Sequence, residues 1–161
     1  MIRSAVSKDA SRLAEIYIFA KRTSYRSIFH DDEVSFNEMQ VLPLALELRD
    51  DPKQLADVHV FDDGILRGLM RWDRSQSDQG IWELKELYVD PFFQHGGYGS
   101  ALMEHFLEAA KRAQMRGAVL WVLEKNERAR RFYAKFGFAP DGMRKLQPGT
   151  DQFLLRYAIS F

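Results

Sequence analysis

The 161-residue chain contains no cysteine, which excludes disulfides, zinc fingers, iron–sulfur clusters and catalytic thiols. It has no surplus of charge either: 23 Lys and Arg balance 23 Asp and Glu. That balance argues against a protein that grips nucleic acid or acidic lipid through bulk charge. No run of about 18 apolar residues occurs, the length a membrane-spanning helix needs. The opening stretch Met1-Ile2-Arg3-Ser4-Ala5-Val6-Ser7-Lys8-Asp9 lacks the apolar core of a signal peptide. No repeat, low-complexity tract or linker divides the chain, and prolines number only five. The histidines, His30, His59, His95 and His105, show no metal-ligand spacing, so no metal is expected. A Gly-x-Ser-x-Gly nucleophile motif is absent as well. The expectation is one cytoplasmic domain over residues 1–161, with neither nucleic acid nor a membrane as partner.

What is present is core-forming material, 46% apolar and 13% aromatic residues, enough to bury a sizeable interior. Residues 2–6 read as a short strand before Ser7, a good N-cap, after which Ala10, Leu13, Ala14, Tyr17 and Ala20 recur at helical spacing. A second helical pattern covers residues 36–48, with Pro43 required to sit in its first turn or kink it. Residues 57–61 and 65–72 flank Asp62-Asp63-Gly64, a hairpin signal. Ile81 to Val89 reads as a strand, residues 90–95 as a loop and residues 97–116 as a helix stopped by Gly117. Its apolar stripe is Tyr98, Ala101, Leu102, Phe106, Ala109, Ala110 and Ala113. A buried strand over residues 118–123 completes a strand–helix–strand unit, which implies a parallel, right-handed crossover. Asn126 caps a short helix carrying Ala129, Phe132, Tyr133 and Phe136, closed by Gly137, and residues 153–159 form a last strand. A hairpin followed by a crossover unit predicts an α/β fold of the mixed α+β kind, with a central mixed sheet flanked by helices on both faces.

One stretch carries chemistry. Gln94-His95-Gly96-Gly97-Tyr98-Gly99-Ser100 follows a strand and opens a helix. A helix N-terminus leaves backbone N–H groups unpaired and carries partial positive charge, so it is a ready anion site. Glycine lets a phosphate reach that backbone where a Cβ would block it. The same residues could simply turn the chain, and an isolated glycine loop usually does only that. No Lys follows the glycines, which excludes a P-loop. The six residues separating strand from glycines, and the run Gly97-Tyr98-Gly99 continuing to Leu102, exclude the dinucleotide fingerprint.

The preceding strand is irregular. Trp82 and Leu84 share one parity, Leu87 and Val89 the other. Either an extra residue at Lys85-Glu86 forms a β-bulge, or the strand is buried on both faces. A bulge would leave N–H groups near residues 87–89 without a ladder partner, open to a ligand carbonyl.

At this point a resemblance emerges. Leu87-Tyr88-Val89-Asp90-Pro91-Phe92-Phe93-Gln94-His95-Gly96-Gly97-Tyr98-Gly99-Ser100-Ala101-Leu102 resembles the acetyl-CoA signature of the GNAT superfamily of N-acetyltransferases. Its Gln/Arg-x-x-Gly-x-Gly/Ala pattern is filled by Gln94, Gly97 and Gly99. Leu120-Trp121-Val122-Leu123-Glu124-Lys125-Asn126, then Ala129, Phe132-Tyr133 and Gly137-Phe138, resembles the superfamily's second cofactor element. Two motifs at compatible spacing, in the right secondary structure, are far more specific than either alone.

The resemblance implies a GNAT-like sheet of six to seven strands with a splayed parallel pair, and acetyl-CoA as cosubstrate. It places the diphosphate on the amides of His95, Gly96, Gly97, Tyr98, Gly99 and Ser100. The pantetheine arm would lie along Leu87, Tyr88 and Val89 like an added strand, with an N–H near Tyr88 or Val89 facing the acetyl carbonyl. Asn126 and Arg130 are implied cofactor contacts, although Arg130 equally suits a solvated helix face. Tyr133 matches the residue that protonates the departing thiolate, where spacing alone would make it a core aromatic. Phenol and thiol have ordinary pKa values of about 10 and 8.5, so the phenol is protonated at neutral pH.

The attacking amine must be neutral, so a base, direct or through water, is expected. Glu83 stands where some members carry such a carboxylate. Glu86 is its competitor, either could be an ordinary strand residue, and many members use no single base. By similarity Tyr25 and Trp72 frame the acceptor site with Glu86, and an exposed aromatic there would suit an amine carrying apolar surface. The implied activity is acetyl transfer to a primary amine, on a small molecule or a protein N-terminus. A non-catalytic acyl-CoA-binding or regulatory domain is the alternative. Homodimers are common among similar proteins, and nothing in the sequence marks an interface.

Overall fold

The computed structural model describes residues 1–31, 33, 40–74 and 79–161. Their regular elements are β1 Ile2–Ser4, α1 Ala10–Phe29, α2 Val41–Asp50, β2 Val58–Asp62, β3 Leu66–Asp73, β4 Ile81–Val89, α3 Tyr98–Arg112, β5 Gly117–Leu123, α4 Glu127–Lys135, β6 Ala139–Leu146 and β7 Phe153–Ser160. The strands form one mixed sheet in the order β1-β2-β3-β4-β5-β7-β6. Within it β4 and β5 are parallel, while β1–β2, β2–β3, β5–β7 and β6–β7 are antiparallel. The expected mixed α/β architecture, hairpin first and crossover after it, is therefore the one the chain adopts.

The described residues group into two compact units, residues 1–71 with 86–105 and residues 72–85 with 106–161. In the first unit, α1 buries Ala10, Leu13, Ala14, Tyr17 and Ala20 as the helical spacing requires, and Ile16 and Ile18 besides. All of these except Ala20 pack in one cluster with Leu44 and Leu48 of α2, Val58 and Val60 of β2 and Leu69 of β3. Each large side chain so buried contributes about 1.5–3 kcal/mol. Pro43 lies in the first turn of α2, where no intrahelical N–H is lost. The rest of the helical pattern, residues 36–39, lies outside the described residues. The entry to α1 differs from expectation. A 3-10 turn, Ser7–Asp9, comes first, so that Asp9 rather than Ser7 stands at the N-cap position of α1, without a side-chain bond to the helix. Its carboxylate accepts the Val6 N–H at 2.9 Å and pairs with Arg3 at 2.8 and 2.9 Å. Between β2 and β3 the hairpin turn is held by Gly64, at φ 105°, whose N–H donates to Asp62 Oδ1 at 2.9 Å.

In the second unit β5 is buried on both faces, as its unbroken apolar run Gly-Ala-Val-Leu-Trp-Val-Leu indicates. Gly117 does not stop α3, as the sequence suggested. The helix ends at Arg112, Gln114 takes the left-handed conformation at φ 58°, and Gly117 is the first residue of β5. Glycine is needed there because a Cβ would lie 2.3 Å from the Ile159 carbonyl oxygen of β7. Strand β6 is not marked by any pattern in the sequence. This strand is exposed at every position and contains Pro140 and Gly142, so no alternation marks it.

Candidate functional site

The loop between β4 and α3 is positioned by a buried carboxylate that the motif reading did not single out. Asp90, 1% exposed, accepts the Phe92 N–H at 2.8 Å and pairs with Arg12 of α1. Its own N–H donates to Arg67 O at 2.9 Å. Burial works against the Arg12 charge, but Glu15 and Asp90 outweigh it and hold the guanidinium above its ordinary pKa. A second anchor lies beyond the glycines, where Tyr98 meets Phe61 edge-on at 5.0 Å between ring centroids. Arg67 lies 4.1 Å from the Phe93 ring centroid and 5.9 Å from that of Tyr98. Both ends of the loop are thus fastened to the β2–β3 hairpin or to α1.

Between these anchors the loop is open. His95, Gly96 and Gly97 are exposed, Gln94, Tyr98, Gly99 and Ser100 half-buried. His95 and Gly97 take left-handed φ values of 69° and 80°. A Cβ built on Gly97 would meet nothing within 4 Å, whereas one on Gly96 would strike the Tyr98 ring at 2.4 Å. The first bond of α3 runs from Ala101 N–H to Gly97 O at 3.0 Å. The amides just before Ala101 therefore precede the helical ladder, the disposition an anion needs.

On β4 the burial alternates from Ile81 to Leu84 and ceases at Lys85, after which Glu86, Leu87, Tyr88 and Val89 are all half-buried. The parallel register with β5 runs from Ile81↔Gly117 to Leu84↔Leu120, although both strands continue further. The break falls at the Lys85-Glu86 step that the parity of the apolar residues singled out. On the other side, Gly68 of β3 admits the chain closely, since a Cβ there would lie 2.7 Å from Tyr88 O.

Around β4 the first unit gathers polar aromatics. Tyr17 donates to Glu86 Oε2 at 2.8 Å, and Arg71 Nε lies 3.3 Å from the same oxygen. The hydroxyls of Tyr25 and Tyr88 are 3.3 Å apart. Burial, and then the Glu86 charge, raises the Tyr17 pKa, and burial likewise raises those of Tyr25 and Tyr88. These phenols stay protonated as hydrogen-bond donors.

The other residues singled out from sequence lie in the second unit. Asn126 is the N-cap of α4, its Oδ1 accepting the Ala129 N–H at 3.2 Å. Arg130 is half-buried on α4. It donates to Tyr157 Oη at 3.1 Å and to Glu124 O at 2.9 Å, and the Tyr157 bond raises its pKa. Tyr133 is half-buried and meets Phe132 and Phe138 edge-on at 5.5 and 6.4 Å. Glu83 pairs with Lys85 at 3.0 Å. Trp72, expected as an exposed aromatic, is instead 4% exposed, stacked on Trp82 at 5.9 Å and packed on Phe106 at 5.6 Å. The inward face of β3 continues to its end, so Trp72 is a core residue. Among the described residues no cluster of three or more His, Asp or Glu side chains could hold a metal ion. No described helix is long and apolar enough to cross a membrane.

The sheet holds one parallel pair, and the glycine loop after β4 leads into a helix whose first amides precede its ladder, a geometry suited to an anion. Residues 12–138 match the model of the acetyltransferase (GNAT) family, and the chain belongs to that family. Two curated relatives are similar over shorter stretches. An uncharacterized N-acetyltransferase of Methanocaldococcus jannaschii is 36% identical over 67 residues, 42% of this chain and 30% of that protein. An uncharacterized N-acetyltransferase of Archaeoglobus fulgidus is 48% identical over 54 residues, 34% of this chain and 37% of that protein. The chain thus spans about a third of the length of these curated relatives. Among solved structures, the PaiA N-acetyltransferase of Thermoplasma acidophilum in complex with coenzyme A superposes with a TM-score of 0.72 at 19% identity, covering 97% of this chain and 96% of that one. YncA of Salmonella typhimurium, a putative acetyltransferase with its cofactor acetyl-CoA, gives 0.70 at 20% identity, covering 99% and 92%.

Proposed function

We propose that the protein is an acetyl-CoA-dependent N-acetyltransferase that acylates a primary amine. The observation that carries this reading is the open loop at residues 94–100. Its backbone amides precede the helical ladder, and at Gly97 no side chain stands within 4 Å of where a Cβ would be. The residues suit a diphosphate, because His95 and Gly97 take left-handed backbone, a conformation from which N–H groups can form a concave anion cradle. Membership of the GNAT family, and the coenzyme A in the crystal structure of the Thermoplasma protein, support coenzyme A as the bearer of that diphosphate.

In this reading the backbone of Leu87, Tyr88 and Val89 receives the pantetheine arm as an added strand. An N–H of Tyr88 or Val89 donates to the acetyl carbonyl oxygen and stabilises the charge that develops as the amine attacks. The new C–N bond forms as the C–S bond breaks. Tyr133 gives its proton to the leaving sulfur, and the proton released by the amine passes to water or to a carboxylate. Glu83 serves as that carboxylate less readily than its position suggests, since Lys85 is paired with it. Asn126 and Arg130 fix the start of α4, and with it Tyr133, by capping and by the Tyr157 and Glu124 bonds.

Thermal unfolding with and without coenzyme A, followed by thiol release on adding acetyl-CoA and primary amines, tests the proposal. A raised Tm together with amine-dependent thiol release is the expected result. Stabilisation with no release from any amine would make the protein a binding module, and no stabilisation would overturn the site itself.

A further inference from the structure

Tyr17, Lys21 and Tyr25 succeed one another at four-residue spacing along α1 and so share one face of the helix. That face meets Glu86 and Tyr88, which share one face of β4. The outer pairs are satisfied, Tyr17 by Glu86 and Tyr25 by Tyr88. The middle residue is not. Lys21 is half-buried, its ammonium 5.5 Å from the Tyr17 ring centroid and 5.9 Å from that of Tyr88, and no carboxylate lies within 4.0 Å of it among the described residues. The nearby carboxylate, Glu86, is already engaged by Arg71 and Tyr17 through one oxygen. Lys21, Arg71 and Glu86 therefore amount to two cations against one anion.

Two aromatic faces compensate an ammonium only in part, and a charge withdrawn from water calls for an opposite charge. Resting on the acetyl-transfer reading above, we propose that Lys21 binds a carboxylate carried by the acceptor, so that the acceptor is a primary amine bearing a carboxylate. The surplus is a single positive charge on a single ammonium, which matches a monoanion. The hydroxyls of Tyr25 and Tyr88, at the long separation of 3.3 Å, can turn to donate to the same group. The site disfavours polyamines for the same reason, because a second ammonium would meet Lys21 and Arg71. Burial, partly offset by Glu86 and reinforced by Arg71, lowers the Lys21 pKa, which is the behaviour of an amine lacking its counter-ion.

The test compares amines that differ only in carrying a carboxylate or the corresponding carboxamide, with thiol release as the readout. A charge-assisted hydrogen bond should lower the KM of the acid at least about tenfold relative to the amide. In Lys21→Met the ratio should fall to near one, and in Lys21→Arg it should persist. A coenzyme A-induced rise in Tm shows that each variant is folded. Equal KM values for acid and amide in the wild-type protein would overturn the proposal, as would an undiminished ratio in Lys21→Met. An aminoalkyl phosphonate used in preference to the carboxylate would overturn the assignment to a monoanion. Should Lys21→Met not fold, the wild-type ratio decides alone. Thiol release from no amine at all would overturn the transferase reading, and this proposal with it, a result distinct from equal use of both members of a pair.

Discussion

Gly97 offers a substitution whose cost to the fold and cost to the site can be separated. The residue sits at φ 80°, and a Cβ added there would meet nothing within 4 Å. Gly97→Ala therefore carries no clash, only the strain of an L side chain in the left-handed region, about 1–2 kcal/mol. For a chain of this length that corresponds to a drop in Tm of about 2–8 °C. The methyl group would stand in the open space above the loop, where a diphosphate must approach the amides. Losing one charge-assisted hydrogen bond costs about 1.5–3 kcal/mol, a rise in the Kd for coenzyme A of about ten- to a hundredfold. Gly117→Ala supplies the opposite case. Its Cβ would lie 2.3 Å from Ile159 O, so β5 and β7 must part. The expected destabilisation is at least the 1–3 kcal/mol of an overpacked core, roughly, with the Kd of the folded fraction unchanged. Calorimetric titration with coenzyme A, beside thermal scans, reads both quantities. A Gly97→Ala protein that binds coenzyme A as tightly as wild type would refute the assignment of the loop.

Three further outcomes follow from named contacts. Asp90→Asn keeps an acceptor for the Phe92 N–H but removes the charge facing Arg12. Because Arg12 is partly exposed and retains Glu15, the loss should be about 2–3 kcal/mol rather than the full cost of a broken buried pair, seen in denaturant titration. An unchanged midpoint would mean that the Arg12 contact does not anchor the loop. Tyr133→Phe should lower thiol release by about a hundred- to ten-thousandfold, the range of a lost general acid, while the Kd for coenzyme A stays put. Undiminished turnover would remove Tyr133 from the reaction. Asp9 is held below its ordinary pKa first by its hydrogen bonds to Arg3, and Asp62 by the Gly64 N–H and then Arg3. Depressed carboxylates stabilise the fold above their unfolded pKa and lose that contribution as pH falls through the folded values. The Tm should therefore decline on acidification below about pH 4, and less steeply in Asp9→Asn; parallel declines would contradict the pairing.

The sequence was most legible where a physical constraint is local. β4 runs over the residues its apolar pattern delimits, and Asn126 caps α4 because a side-chain oxygen two or three residues from an unpaired N–H needs no tertiary partner. Legibility failed where the constraint comes from afar. Gly117 looks like a helix stop, since nothing nearby reveals that Ile159, more than forty residues on, presses a carbonyl against it. Trp72 passes for an exposed ligand aromatic until Trp82 and Phe106 are seen packed on it. Strand β6 escaped notice because a solvent-exposed edge strand has no buried face to impose a period of two.

The same distinction governs the site. Its glycines are readable because the need for a missing Cβ is written in the residue itself, but what holds them in place is not. Asp90 and Arg12 are 78 positions apart, and only the folded chain shows that a carboxylate buried beside a guanidinium fixes the first turn of the loop. An anion cradle made of backbone amides binds well only if its geometry exists before the ligand arrives, since ordering it on binding would consume affinity. The buried Asp90 pair and the Tyr98–Phe61 contact supply that rigidity at the two ends, leaving exposure to His95, Gly96 and Gly97 in the middle. In the proposed reading the motif names the groups that would touch a diphosphate, and side chains outside the motif decide whether those groups are ready for it.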